Sequence, residues 1–235
     1  MMNRKGKGIA AFLLTLTALA FIGDGCWIKA KAVLAQYLLR QAWQQTIRTG
    51  VRVKAWPWAD TWPVARLQVK RLGVDAIVLE GQSGEVLAFG PGHLSSGAAP
   101  NAVGNCVLAG HRDTSFRFLA ELRKGDIVSL QTGDGRECNY RIVSTTVVRY
   151  DQLYLEDPAN PWLTLITCYP FNNPIPGGPL RFVAFAKEIK VSGQIPAGPH
   201  SSRSQRTDGV LTHVLKRLTL SARSLDLSLR LSARS

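Results

Sequence analysis

The sequence predicts a mainly β domain, an antiparallel sandwich or a small barrel, carried behind an N-terminal apolar helix. Three observations lead there. Short β-branched and apolar stretches bounded by turn residues recur between residues 64 and 189. These stretches do not alternate with long helical patterns, which excludes a doubly wound parallel sheet. The chain opens with a basic cluster followed by an apolar run. Its 235 residues, 46% hydrophobic and 19% charged, can bury a core, so wholesale disorder is excluded and one domain with attachments is expected.

In chain order, Arg4, Lys5 and Lys7 precede the apolar run 9–22. Extending that run through Trp27 and Ile28 gives about 20 residues, enough for a bilayer core of about 30 Å. Asp24 then falls near the far interface, where a charge costs less than at the midplane. Ala18-Leu19-Ala20 offers a cleavage site, but the uncleaved anchor is favoured, and Cys26 lacks the upstream Leu of a lipidated cysteine. Residues 1–28 are therefore expected to be a membrane anchor with the basic cluster inside, which puts the rest of the chain outside the cytoplasm. Ile28, Ala32, Ala35 and Leu39 continue at helical spacing, predicting an amphipathic helix over 27–47. The segment Trp56-Pro57-Trp58-Ala59-Asp60-Thr61-Trp62-Pro63 then breaks it. A rigid spacer, an interfacial anchor and a strap on the domain surface are all open to this segment, with the strap favoured; residues 29–63 form this juxtamembrane region.

Strands are predicted over 66–72, 76–80, 105–109, 126–131, 140–149, 163–167 and 180–187, with a turn at Gly133-Asp134-Gly135 and one short helix over 115–122. They define a domain at 64–189. The remaining 190–235 is rich in Ser, Pro, Gly and Arg at first, repeats Leu-Ser-Ala-Arg-Ser at 220–224 and 231–235, and is expected to be a basic, poorly ordered tail.

Cys26, Cys106, Cys138 and Cys168 form no Cys-x-x-Cys pair, so zinc ribbons and thioredoxin-type motifs are excluded. A Cys106–Cys138 bridge is open outside the cytoplasm, with buried free thiols the favoured reading. The net charge of +13 raises nucleic acid as a partner until its distribution is read. Residues 1–65 hold nine basic and two acidic residues, 66–189 hold 12 of each, and 190–235 hold eight and two. The domain is neutral and the charge belongs to the two ends, so topology and anionic lipid account for it and no nucleic-acid partner is expected.

Chemistry concentrates in three stretches: Ala109-Gly110-His111-Arg112-Asp113, Leu163-Thr164-Leu165-Ile166-Thr167-Cys168-Tyr169-Pro170, and Leu180-Arg181-Phe182-Val183. His111 ends one predicted strand, Cys168 another, and Arg181 opens a third, so a β scaffold can bring them together. A reactive cysteine needs a neighbouring base or cation to supply thiolate, and acyl transfer needs a donor where the carbonyl oxygen turns negative. Taken singly, each has a bland alternative as a buried thiol or a structural histidine. His93 is assigned a structural role. Arg112 and Asp113 are expected to be an exposed or helix-capping pair, with tuning of His111 as the lesser alternative. His200 and His213 carry no signal.

Together these residues resemble the sortase family of membrane-anchored cysteine transpeptidases. The resemblance covers residues 66–189. It rests on Thr164-Leu165-Ile166-Thr167-Cys168, on His111 within Gly-His-Arg-Asp and on Arg181 in the next strand, three motifs in the family order. The anchor and the Trp/Pro strap resemble the Gram-negative (proteobacterial, class GN) members. The resemblance implies a closed β-barrel of seven to eight strands with short helices. It implies catalytic His111, Cys168 and Arg181, with Thr167 and Tyr169 near substrate and 169–179 as a loop beside the groove. It implies cleavage of a C-terminal sorting signal similar to Leu-Pro-x-Thr-Gly through a Cys168 thioester, then transfer to an amine whose identity the sequence leaves open. No cofactor is expected, and no carboxylate cluster points to a metal. The implied place is the inner membrane, single-pass, with the domain facing the periplasm. Two rivals stand beside it. An L,D-transpeptidase would need a compact Ser-x-Gly-Cys motif, which the chain lacks. An inactive or non-catalytic membrane-anchored barrel binding peptide or glycan would need the three motifs to coincide without use.

Overall fold

The computed structural model describes residues 4–155, 158–173, 175 and 177–189, with the side chains of residues 4–11 left aside. The tail expected over 190–235 lies outside the described residues. Elements follow in the order α1 (Arg4–Thr49), β1 (Pro63–Val69), a 3-10 turn (Lys70–Leu72), β2 (Val74–Glu80), α2 (Gly84–Phe89) and β3 (Gly92–His93). Then come β4 (Asn105–Ala109), a 3-10 turn (Arg117–Glu121), β5 (Ile127–Thr132), β6 (Glu137–Arg149), a 3-10 turn (Tyr150–Gln152), β7 (Trp162–Tyr169) and β8 (Leu180–Ile189).

The eight strands close into a barrel in the order β1-β2-β3-β4-β7-β8-β6-β5, with β5 returning to β1. A barrel has no free sheet edge, which removes a liability an open sheet of this size would carry. The ladders are mixed: β2 with β3 and β4 with β7 are parallel, the others antiparallel. This corrects the antiparallel expectation. Parallel pairs need crossovers, and the ones here are a six-residue helix and the long course from β4 through β5 and β6 to β7, neither of which shows as a β/α alternation in sequence.

Side chains alternate across the wall. Leu67, Val69, Leu130, Leu163, Leu165, Ala184 and Ala186 fill the interior with Phe116, Leu119 and Tyr140. The opposite face of β4, β7 and β8 packs Val107, Ala109, Ile166, Cys168 and Val183 beneath Leu87 and Leu94. A third cluster joins Leu39 and Trp43 of α1 to Ile77, Leu79 and Val86. Fully burying a Leu-sized side chain contributes about 1.5–3 kcal/mol, so Leu39 and Trp43 fix α1 on the barrel.

Several expectations shift. The anchor and the juxtamembrane helix are one helix of 46 residues that runs through Gly23-Asp24-Gly25 without a break. Glycines cost about 1 kcal/mol each against Ala in a helix, too little to end one that holds no proline. The helix expected over 115–122 is a 3-10 turn, because Phe116 is drawn wholly into the core and leaves five residues to turn. β3 and α2 were not legible: two residues show no alternation and six show no helical period. Ser83 caps α2 by accepting from the Val86 N–H at 3.3 Å. Residues 56–63 do lie on the domain. Trp56 meets Phe89 edge-on at 5.0 Å and the Thr61 hydroxyl donates to the Glu80 carbonyl at 2.6 Å, while Trp58 stays 80% exposed. None of the four cysteines is joined in a disulfide; Cys106 is buried and Cys138 half-buried.

Candidate active site

β7 is the central strand of the site. On one side it pairs in parallel with β4, Ala109 opposite Ile166, and on the other antiparallel with β8, Cys168 opposite Arg181. Directly opposed residues in an antiparallel pair share a face with Cβ atoms about 4.5–5.5 Å apart, so Cys168 and Arg181 project together from the outer wall. The β4–β7 ladder extends past the end of β4. The Gly110 N–H donates to the Ile166 carbonyl at 3.2 Å, and the Thr167 hydroxyl donates to the Gly110 carbonyl at 2.7 Å. His111 is therefore the next residue along from a backbone pinned to the neighbour of Cys168. The three residues singled out in sequence stand on or beside three adjacent strands at one end of the barrel.

Gly110 is fixed by space. A Cβ there would stand 2.6 Å from the Phe116 ring, which is wholly buried. Phe116 in turn donates its N–H to the His111 carbonyl at 2.9 Å, closing the turn that carries the imidazole. Burial lowers the His111 pKa below its usual value, and the nearby Asp113 carboxylate offsets part of that shift.

Arg181 is 1% exposed. Its Nη1 donates to the carbonyls of Gly178 at 2.7 Å and Leu180 at 2.9 Å, and its guanidinium lies 5.6 Å from the centre of the Tyr150 ring. The two carbonyls and the aromatic face fix the direction of the guanidinium. Cys168 is 7% exposed and rests on the cluster capped by Leu87 and Leu94.

Thr167 is wholly buried, and its hydroxyl is spent on Gly110. Through that bond it holds the backbone next to His111. Tyr169 is half-buried, its ring edge-on to Phe171 at 5.9 Å, where the β7–β8 loop begins. Arg112 differs from expectation. Instead of an exposed pair with Asp113, its side chain is 4% exposed. It donates to both Asp113 carboxylate oxygens at 2.8 and 2.9 Å, to the Pro170 carbonyl at 2.7 Å and to the Asn173 carbonyl at 2.8 Å. It thus ties the residue after His111 to the loop after Cys168. Asp113 raises the Arg112 pKa and Arg112 holds that of Asp113 down. Two contacts had no sequence signal: those of Arg112 with acceptors 58 and 61 residues away, and that of Tyr150 with Arg181, 31 residues on.

His93 has the structural role expected of it. Its Nδ1 pairs with Glu80 at 3.0 Å and its Nε2 with the Ala98 carbonyl at 2.9 Å. Among the described residues no group of three or more His, Cys, Asp or Glu side chains could hold a metal ion.

The model of one protein family, described as the Sortase domain, matches residues 67–189. Sortase D of Bacillus subtilis (strain 168) is 34% identical over 125 residues, which are 52% of this chain and 62% of that protein, so the match spans less than two thirds of the relative. The structure of a Sortase D5 transpeptidase from Clostridium perfringens superposes with a TM-score of 0.53 at 22% identity, covering 66% of this chain and 96% of that one. Sortase A from Corynebacterium diphtheriae gives a TM-score of 0.51 at 22% identity over 59% of this chain and 66% of that one. At these identities the two structures speak to the fold.

Proposed function

Because the chain belongs to the sortase family, we propose that it is a membrane-anchored cysteine transpeptidase acting on a protein that carries a C-terminal sorting signal similar to Leu-Pro-x-Thr-Gly. The observation that carries this reading is the placement of His111, Cys168 and Arg181 on or beside adjacent strands β4, β7 and β8. Cys168 as thiolate attacks the carbonyl before the scissile bond, forming a C–S bond. The C–N bond breaks as His111 gives its proton to the departing amine. An incoming amine, or water, then attacks the thioester, His111 takes its proton, and the C–S bond breaks to return the thiolate. Arg181 faces the oxyanion in both halves. Tyr169 lines the approach at the start of the β7–β8 loop, and Thr167 keeps the His111 turn in register.

The anchor reading rests on α1, which among the described residues is the one helix long and apolar enough to cross a membrane. The basic cluster Arg4, Lys5 and Lys7, read as the cytoplasmic flank, supports a domain facing the periplasm of an inner membrane, and the anchor with its Trp/Pro strap is what supports the reading as a Gram-negative class member. The test uses the full chain in detergent micelles with a fluorescent Leu-Pro-x-Thr-Gly peptide and an oligoglycine acceptor. Cleavage and a ligated product are expected. Arg181→Ala should slow cleavage by about 100-fold or more, the usual cost of removing one oxyanion donor. Parent-like cleavage by Cys168→Ala would refute the reading.

A further inference from the structure

The course of α1 along the barrel fixes which end of the molecule meets the membrane. β6 runs the length of the wall, from the β5–β6 hairpin at Glu137 to Arg149, which pairs with Leu180 beside Arg181. One end of the barrel is thus the hairpin and the other holds the site. The C-terminal turn of α1 lies at the hairpin end, where the Thr46 methyl sits 3.0 Å from the position of a Cβ on Gly133. Earlier residues of α1 lie progressively toward the other end. Leu39 and Trp43 pack on Ile77 and Leu79, Gln36 donates to the Phe89 carbonyl at 2.7 Å, and Arg40 acts on Asp75, next to the β1–β2 turn. Toward its N-terminus, α1 therefore leaves the barrel past the catalytic end.

The helix first becomes buried at Ala35, only seven residues after Ile28 closes the apolar run, a rise of about 10 Å. Trp27, Lys31 and Tyr37, residue types of the interface, stand around this stretch. Lys31 lies over the Trp27 ring at 5.6 Å, and Val33, Leu34 and Tyr37 are exposed. At the same end the β1–β2 and β4–β5 connections expose Lys70, Arg117, Arg123 and Lys124 against the acidic Asp113 and Glu121, an excess of positive charge. Arg71 joins the two connections through Asp126 and the Glu121 carbonyl.

We propose that α1 is a rigid stalk that holds the catalytic end of the barrel against the lipid headgroups, with these basic connections facing the anionic surface. This inference rests on the anchor reading and is independent of the acyl-transfer chemistry. The hairpin end, with its paired Asp134 and Arg136, then points away from the bilayer.

The experiment places the full chain in nanodiscs of phosphatidylcholine and phosphatidylglycerol that carry a headgroup nitroxide lipid. A fluorophore is attached at Lys124→Cys or at Arg136→Cys in a Cys26→Ala, Cys138→Ala, Cys168→Ala background. The label at position 124 should be quenched several-fold more strongly than the label at 136. A flexible insert of about 12 residues between Ala30 and Lys31 should bring the two toward equality. Equal quenching without the insert, stronger quenching at 136, or a difference that survives the insert unchanged would each overturn the proposal. Cleavage of soluble peptide by chains retaining Cys168 reports separately on the chemistry, so failure of one reading is distinguishable from failure of the other.

Discussion

Arg112 carries much of the local order of the site although it stands in none of the catalytic roles. Its four hydrogen bonds satisfy a buried cation and join the turn of His111 to the loop after Cys168. Removing the guanidinium takes the donors from the Pro170 and Asn173 carbonyls and leaves Asp113, itself 63% exposed, to solvent, at a cost of about 1–3 kcal/mol. Arg112→Met should therefore lower the melting temperature of the full chain and slow peptide cleavage by at least about tenfold. Arg112→Lys should restore only part of it, because a point charge cannot reach carboxylate and carbonyls together; complete rescue by Lys would show that charge alone matters. Asp113 offers a pH test. Its carboxylate raises a His111 pKa that burial has lowered, so Asp113→Asn drops that pKa further. A step that needs protonated His111 fails as pH rises through this value, and the alkaline limb of the cleavage profile should move to lower pH. A limb that stays put or rises would separate Asp113 from His111. The sequence motifs pointed to His111, Cys168 and Arg181 because each sits at a predicted strand end. Arg112 was read as a surface ion pair, since adjacent opposite charges are common on surfaces and its distant acceptors become neighbours only when β4 and β7 pair.

Among the elements, β7 and the short β3 show what periodicity can reveal. The apolar run of β7 is long enough to be read from sequence, and its neighbours followed from motif order. The two residues of β3 take their place from Gly92, where a Cβ would fall 2.2 Å from the Gly81 carbonyl oxygen, and from His93. Burial works against the charge on His93, but the hydrogen bonds to Glu80 and the Ala98 carbonyl outweigh it and its pKa is raised. Glu80 is likewise opposed by burial, yet His93 and Ser95 hold its pKa down. The histidine's contribution is complete below its unfolded value of about 6.5 and is lost as pH rises through the higher folded value. The Glu80 contribution is present above about 4.3 and lost as pH falls through the lower folded value. Thermal melts of the full chain should show this pair at its strongest between those limits. His93→Gln should lower stability most there and little at alkaline pH; a uniform loss across pH would show that the histidine acts by packing alone.

For the whole molecule, the distribution of charge already separated a neutral domain from basic ends, and the apolar run announced α1. What could not be read was that the anchor and the amphipathic segment are continuous, because Gly23, Asp24 and Gly25 look like a boundary and the packing that stiffens the helix begins only at Ala35. Closure of the barrel was implied by family resemblance, and its mixed ladders come from crossovers that carry no local signal. The central claim is that this barrel presents Cys168 as the acyl-accepting nucleophile. Its most direct test is the intact mass of the full chain, quenched in acid shortly after mixing with a Leu-Pro-x-Thr-Gly peptide and no amine acceptor. The account predicts a mass gain equal to the peptide fragment before the scissile bond, mapped to Cys168 and discharged by added amine. No gain across a library of such peptides, or a gain mapped to Cys26 or Cys138 that persists in Cys168→Ala, would contradict it.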